Sequence, residues 1–350
     1  DLNIQLFLDD LKKDPKIKDW QLTQAQNAIK LYADHFLSVN QPIQIPEKKG
    51  TGKHLFPDAG TIHEKIKEAL RIKHYAYSTE RSYTDWFQRF YDYVTKVKKK
   101  DWEVTGADEE DVRDFLSHLA IKQHVSSSTQ NQAFNALLFL FRHVLQIDLK
   151  DLSQTVRAKR GPKLPTVLSV DEVRKMLSHL SGRDLLVVHL LYGTGMRLME
   201  VTRLRVNDID FDGKAIYVRA GKGDKDRTTV LPQAVIAPLK EHLERVKELH
   251  TQDLANGRGE VYLPEALERK YPKAGRQWRW QYVFPAQNLS VDPRSGKIRR
   301  HHISADTVQK MVAAAVRDAD ISKHATVHTL RHSFATHLLM AGVNIREVQE

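Results

Sequence analysis

No cysteine occurs among the 350 residues. That excludes disulfide bonds, thiolate zinc ligands and a cysteine nucleophile, and it fits a reducing compartment. Long apolar runs are missing too. A stretch such as Leu185 to Leu191 is interrupted by His189 and is far too short to span a bilayer, so no transmembrane segment and no membrane partner are expected. The opening segment, from Asp1, lacks a basic stretch followed by an apolar run and a small-residue cleavage site. No export signal is legible in it, and the cytoplasm is the expected compartment. Negative charge is also in short supply: 44 acidic residues face 55 lysines and arginines, for a net charge of +11. Such an excess steers polyanions and gains from counterion release, which points first to nucleic acid.

The length suffices for two domains with separate cores. Apolar residues recur at helical spacing in Ile4, Phe7, Leu8 and Leu11, then in Ala25, Ala28, Ile29, Tyr32 and Phe36, which predicts a few amphipathic helices. Pro42, Pro46, Gly50, Gly52 and Pro57 mark an exposed connector, so a boundary is expected near residue 60. From Ile62 to Leu149 the period is again helical and rich in aromatics (Tyr83, Trp86, Phe87, Phe90, Tyr91, then Phe134 and Phe141), as in an all-helical domain over 61–152. Ser126 to Thr129 suits a turn and the start of the next helix. Arg157, Lys159 and Arg160 stand in a basic, proline-bounded linker over 153–165. It would lie along phosphates or else be merely solvated.

Beyond the linker, Ser169 and Glu172 form a capping box ahead of a helix. Lys214 to Val218 and Thr228 to Leu231 read as a small β-hairpin around turn residues Gly221 to Asp226, with helices over Val235–Leu249, Ala305–Ala319 and Thr329–Met340. Three elements in this half offer a cation or proton donor at the end of regular structure. They are Gly193-Thr-Gly-Met-Arg197-Leu-Met-Glu200, Gly221-Lys222-Gly223 and His328-Thr-Leu-Arg331. Guanidinium forks pair with non-bridging phosphate oxygens, an ammonium can protonate a leaving oxygen, and helix amino termini attract phosphate. Taken singly, an arginine with a glutamate one turn on is a common surface pair, and a glycine-flanked lysine is a common turn.

In order and flanks these three boxes resemble the active-site boxes of the tyrosine recombinases. The resemblance covers about Ile62 to the end of the chain and leaves residues 1–60 as an extension of unknown role. It implies a mainly α protein with a small β-sheet: a helical, SAM-like core-binding domain and an α+β catalytic domain over 166–350, closing on duplex DNA as a C-shaped clamp. Residue by residue, it makes Arg197 and Arg331 the clamp on the scissile phosphate, Lys222 the general acid for the 5′ oxygen, His328 a phosphate or proton-transfer partner, and Glu200 a support. His332 and His337 receive no role. The reaction would pass through a 3′-phosphotyrosine with no metal and no nucleotide cofactor, in a homo-tetramer on DNA. The family places its nucleophilic tyrosine downstream of the His-Thr-Leu-Arg box. No tyrosine follows Arg331 here, so the nucleophile is expected beyond Glu350, and residues 1–350 alone are expected to form no covalent adduct.

An insertion over about 251–303, with Trp278, Trp280, Phe284, Pro293, Arg299, Arg300, His301 and His302, resembles the added segment of integron integrases, which act on folded single-stranded cassette sites. There Pro293, His301 and His302 match base-contacting positions, with the basic pair on the backbone. A flat imidazole or proline face can stack on an unpaired base. The alternative is a small satellite core with the histidines capping the next helix. Arg219 departs from relatives that carry a stacking aromatic before the lysine. A phage-type integrase or resolvase, a type IB topoisomerase and a non-catalytic DNA-binding protein of the same fold remain as rivals. Only the enzyme requires Arg197, Lys222, His328 and Arg331 together.

Overall fold

A computed structural model of the chain describes residues 56–147, 149, 164–219, 226–344 and 346. The helices read before residue 40, the linker residues Arg157, Lys159 and Arg160, and Lys222 lie outside the described residues. The chain divides into two compact units, Asp1–Pro162 and Lys163–Glu350.

The described part of the first unit is helical: α1 (Ala59–Ile72), α2 (Tyr77–Asp92), the single turn α3 (Trp102–Thr105), α4 (Glu109–Ile121) and α5 (Ser127–Phe139). Apart from α2, which follows Ala76 without a side-chain cap, each start is fixed locally. Asp58 accepts from Thr61 N, Asp108 and Asp111 cap each other reciprocally, and the Ser126 hydroxyl accepts from Thr129 N, so backbone donors that the helix cannot use are satisfied. The apolar faces meet in one core. Buried Trp102 stands edge-on to Phe56, Tyr91, Phe87 and Phe90, and Phe90 in turn packs against Phe115 and Phe141. Fully buried Asp111 is tolerated there because Lys98 and Lys100 both reach it at 2.7 Å.

The second unit packs α6 (Val170–Ser178), α7 (Gly182–Thr194), the short α8 (Leu198–Thr202), the long α9 (Gln233–Ala255), α10 (Glu265–Lys270), α11 (Ala305–Asp318) and α12 (Val327–Met340) beside two antiparallel sheets. The first sheet is β1 (Ile209–Asp210), β2 (Ala215–Val218) and β3 (Arg227–Val230) in that order, with Val218 opposite Arg227 and Ala215 opposite Val230. The second is the two-residue pair β4 (Ser290–Val291) and β5 (Ile298–Arg299). The capping box at Ser169 and Glu172 forms as its spacing predicts. α7 is apolar nearly all round, with Leu186, Val187, Val188, Leu190 and Leu191 buried, which makes it the central rod of this unit.

The insertion is no separate satellite. Its segment 281–284 hydrogen-bonds to the turn after α8, through Val206 N to Gln281 O and Val283 N to Leu204 O, and Val283, Phe284 and Ile303 belong to the main core.

Candidate active site

Three of the singled-out side chains converge on the corner between α7 and α8. α7 ends at Gly195, whose φ of +60° lies in the left-handed region, and a Cβ there would stand 2.5 Å from the Phe334 ring. Only glycine satisfies both demands. The tight corner lets α12 approach, and Arg331, one turn before Phe334, donates to the Gly195 carbonyl. Arg197 caps α8 from the other side of the corner. Its backbone N–H donates to Glu200 Oε2 at 2.8 Å and its Nη1 to Oε1 at 2.7 Å.

Glu200 is 7% exposed. Burial pushes its carboxyl up, but the backbone and side-chain bonds from Arg197 and the charges of Arg227 and Arg197 outweigh that and hold it below the usual range. Arg227, at the start of β3, donates from Nη2 to Glu200 Oε2 at 2.6 Å. Sequence reading missed Arg227 because its partner sits 27 residues earlier, and a basic residue at a hairpin base looks like a solvated one. Burial, then the charges of Arg197 and Arg227, push the Arg331 guanidinium below its usual value, and Glu200 pulls the other way. Two guanidiniums are bonded to one carboxylate and a third, Arg331, feels its charge, a surplus of positive charge that an anion such as phosphate can neutralise.

His328 is exposed near the start of α12, three residues before Arg331 and so on the same helix face. His332 is exposed on the same helix, and His337 meets the Tyr192 hydroxyl through Nδ1 at 2.8 Å. Arg219 is held at 2.7 Å by Asp208.

In the insertion the basic pair is a correction to the sequence reading. Arg299, expected on a DNA backbone, is 1% exposed and enclosed by Glu260 at 2.7 Å, Glu268 at 2.9 Å and Asp292 at 3.7 Å. Arg300, expected beside it, is bound to both oxygens of Asp253 at 2.5 and 2.8 Å and to the carbonyls of Ala286 and Gln287. Both forks are spent on tying the strand β5 to α10 and α9, because the acidic partners arrive from distant sequence and outcompete solvent. His302 presents its ring edge-on to Tyr282 at 5.3 Å, with Nδ1 against the Ile303 carbonyl, and burial keeps its imidazole below its ordinary pKa. His301 is half-buried, with Nε2 enclosed and no hydrogen-bond partner. Pro293 is exposed in the turn between β4 and β5, flanked by Val291 (63% exposed) and Ile298 (49%).

Two family models match the chain: the phage integrase family over residues 166–350, and the phage integrase N-terminal SAM-like domain over 62–151. An "Integrase/recombinase" of Escherichia coli is 45% identical over 289 residues, which is 83% of this chain and 84% of that protein. The "Tyrosine recombinase XerA" of Pyrococcus furiosus is 30% identical over 270 residues, 75% of this chain and 77% of its own. Among solved structures, the XerH site-specific recombinase bound to its difH substrate aligns at a TM-score of 0.52 and 21% identity, covering 84% of this chain and 78% of that one. The Tn1549 transposon integrase in complex with transposon right end DNA aligns at 0.53 and 16%, covering 82% and 89%. These last two likenesses establish the fold.

Proposed function

The chain belongs to the tyrosine recombinase, or phage integrase, family, and on that premise we propose that it cuts and rejoins DNA at integron cassette sites, folded single-stranded ones included. The observation that carries the catalytic part is the convergence of Arg197 and Arg331 on the Gly195 to Glu200 corner, with charge to spare. A scissile phosphate seated there meets two guanidiniums that strengthen their hold as charge builds on its non-bridging oxygens. A tyrosine hydroxyl attacks phosphorus and the bond to the 5′ oxygen breaks. That oxygen takes its proton from Lys222, the proposed general acid, which lies outside the described residues. His328 bonds the phosphate or receives the tyrosine proton. The 3′-phosphotyrosine conserves the energy of the broken bond, so a 5′ hydroxyl from a second strand reverses the steps. The resemblance adds a synaptic tetramer on two sites.

The integron-type part is supported by the insertion. Its arginines make a stiff mount for the β4–β5 turn, which offers Pro293, Val291 and Ile298 to solvent a few residues before His301 and His302 in the chain. An imidazole or a proline face stacks on an unpaired base whatever that base is.

Equilibrium binding to a folded single-stranded cassette site with unpaired bases, beside a perfect duplex of the same arms, tests this reading. Replacing His301 and His302 with alanine should weaken the folded-strand complex about tenfold or more, since stacking is worth roughly 1–3 kcal/mol per base, and should barely change the duplex complex. Equal losses on both would remove the histidines from base recognition and with them the integron-type reading.

A further inference from the structure

The mechanism above uses Arg197 and Arg331 and leaves Arg227 unexplained, although it is a second guanidinium bonded to the Glu200 carboxylate. Glu200 Oε1 is taken by Arg197 Nη1, while Oε2 is shared between the Arg197 backbone N–H and Arg227 Nη2. Arg227 is 22% exposed and comes from β3, paired through Val218 to β2, an element independent of the α7–α8 corner. A glutamate held only by the arginine three residues before it can swing with that arginine about the short helix α8. Anchored to a sheet as well, it becomes a fixed post.

We infer that Arg227 is a positioning residue for strand cleavage: it pins Glu200, and Glu200 in turn aims the Arg197 guanidinium at the phosphate. The inference rests on the proposed reading of Arg197 as part of the phosphate clamp. Arg227 need not touch DNA, because its Nη2 is directed inward onto the carboxylate. It also adds to the positive field that disfavours the Arg331 charge until an anion arrives. A misplacement of a clamp by about 1 Å can cost about a hundredfold in rate, so losing the post should be visible in chemistry while leaving duplex affinity, spread over many phosphates, nearly intact.

A double-mutant cycle on single-turnover strand cleavage, in a cleavage-competent form of the protein and with DNA saturating, decides this. R227Q should cleave about ten- to a hundredfold more slowly with duplex affinity changed less than about twofold. R227K should recover most of that loss, because the contact is a single N–H to one oxygen that an ammonium can replace. The pair R227Q/E200Q should be no slower than E200Q alone. A double variant whose loss is the product of the two single losses would mean that Arg227 acts independently of Glu200, and would overturn the inference. So would wild-type cleavage by R227Q, or an R227K no better than R227Q. Should R227Q fail to fold, R227M against E200Q and E200Q/R227M carries the same cycle. R197A in the same assay separates the two levels. If it cleaves normally, the clamp itself is misassigned; if it is inert while R227Q is fully active, only the role of Arg227 falls.

Discussion

Glu200 shows how one residue can set the charge state of a site. Its carboxyl is held below the usual range by Arg197 and Arg227 against the opposing effect of burial. A group whose folded pKa is depressed contributes stability that is complete above its unfolded value, 4.5 for this glutamate, and is lost as pH falls through the lower folded value. E200Q is therefore expected to be less stable than the wild type near neutral pH, with that difference shrinking below about pH 4.5 as the wild-type carboxyl protonates. Urea unfolding at neutral and acid pH measures it. A difference that stays constant with pH would show that Glu200 stabilises the corner by packing and not by its charge. Arg197 and Glu200 were legible in the sequence because cap and partner stand three residues apart after a glycine turn. Arg227 was not, because only the β2–β3 pairing brings it to Glu200.

At the scale of elements, helices of more than two turns were readable where periodicity and caps agreed, as at Ser169 and Glu172 or Ser304. The two-residue strands β1, β4 and β5 carry no period at all, and their existence depends on partners elsewhere. α9 runs past the expected end near His250 to Ala255 because no glycine or proline stops it before Gly257, whose φ is +72°. The same blindness to distant partners made Arg299 look like a DNA contact, its acidic neighbours lying 39 and 31 residues away. Arg299→Ala should cost about 3 kcal/mol of stability, since it removes the buried charge between the carboxylates, leaving Asp292 without it and Glu260 and Glu268 with Lys297 alone. The slope of duplex binding against salt should stay that of the wild type, because no phosphate contact is lost. Thermal unfolding together with binding across a salt series checks both. A shallower slope with unchanged stability would return Arg299 to the DNA interface.

For the whole molecule, two units with separate cores and a net charge of +11 agree with a protein that holds DNA by many dispersed phosphate contacts and concentrates its chemistry in one corner. That division implies that binding and cleavage are separable. A suicide DNA substrate, nicked so that the short released end diffuses away and rejoining fails, tests it most directly. A cleavage-competent form of the protein should become covalently joined through a tyrosine to the 3′ phosphate, while Arg197→Ala and Arg331→Ala should bind the same DNA with affinity close to the wild type and form no adduct. A linkage through serine or to the 5′ phosphate, or an adduct formed by either arginine variant at the wild-type rate, would contradict the account.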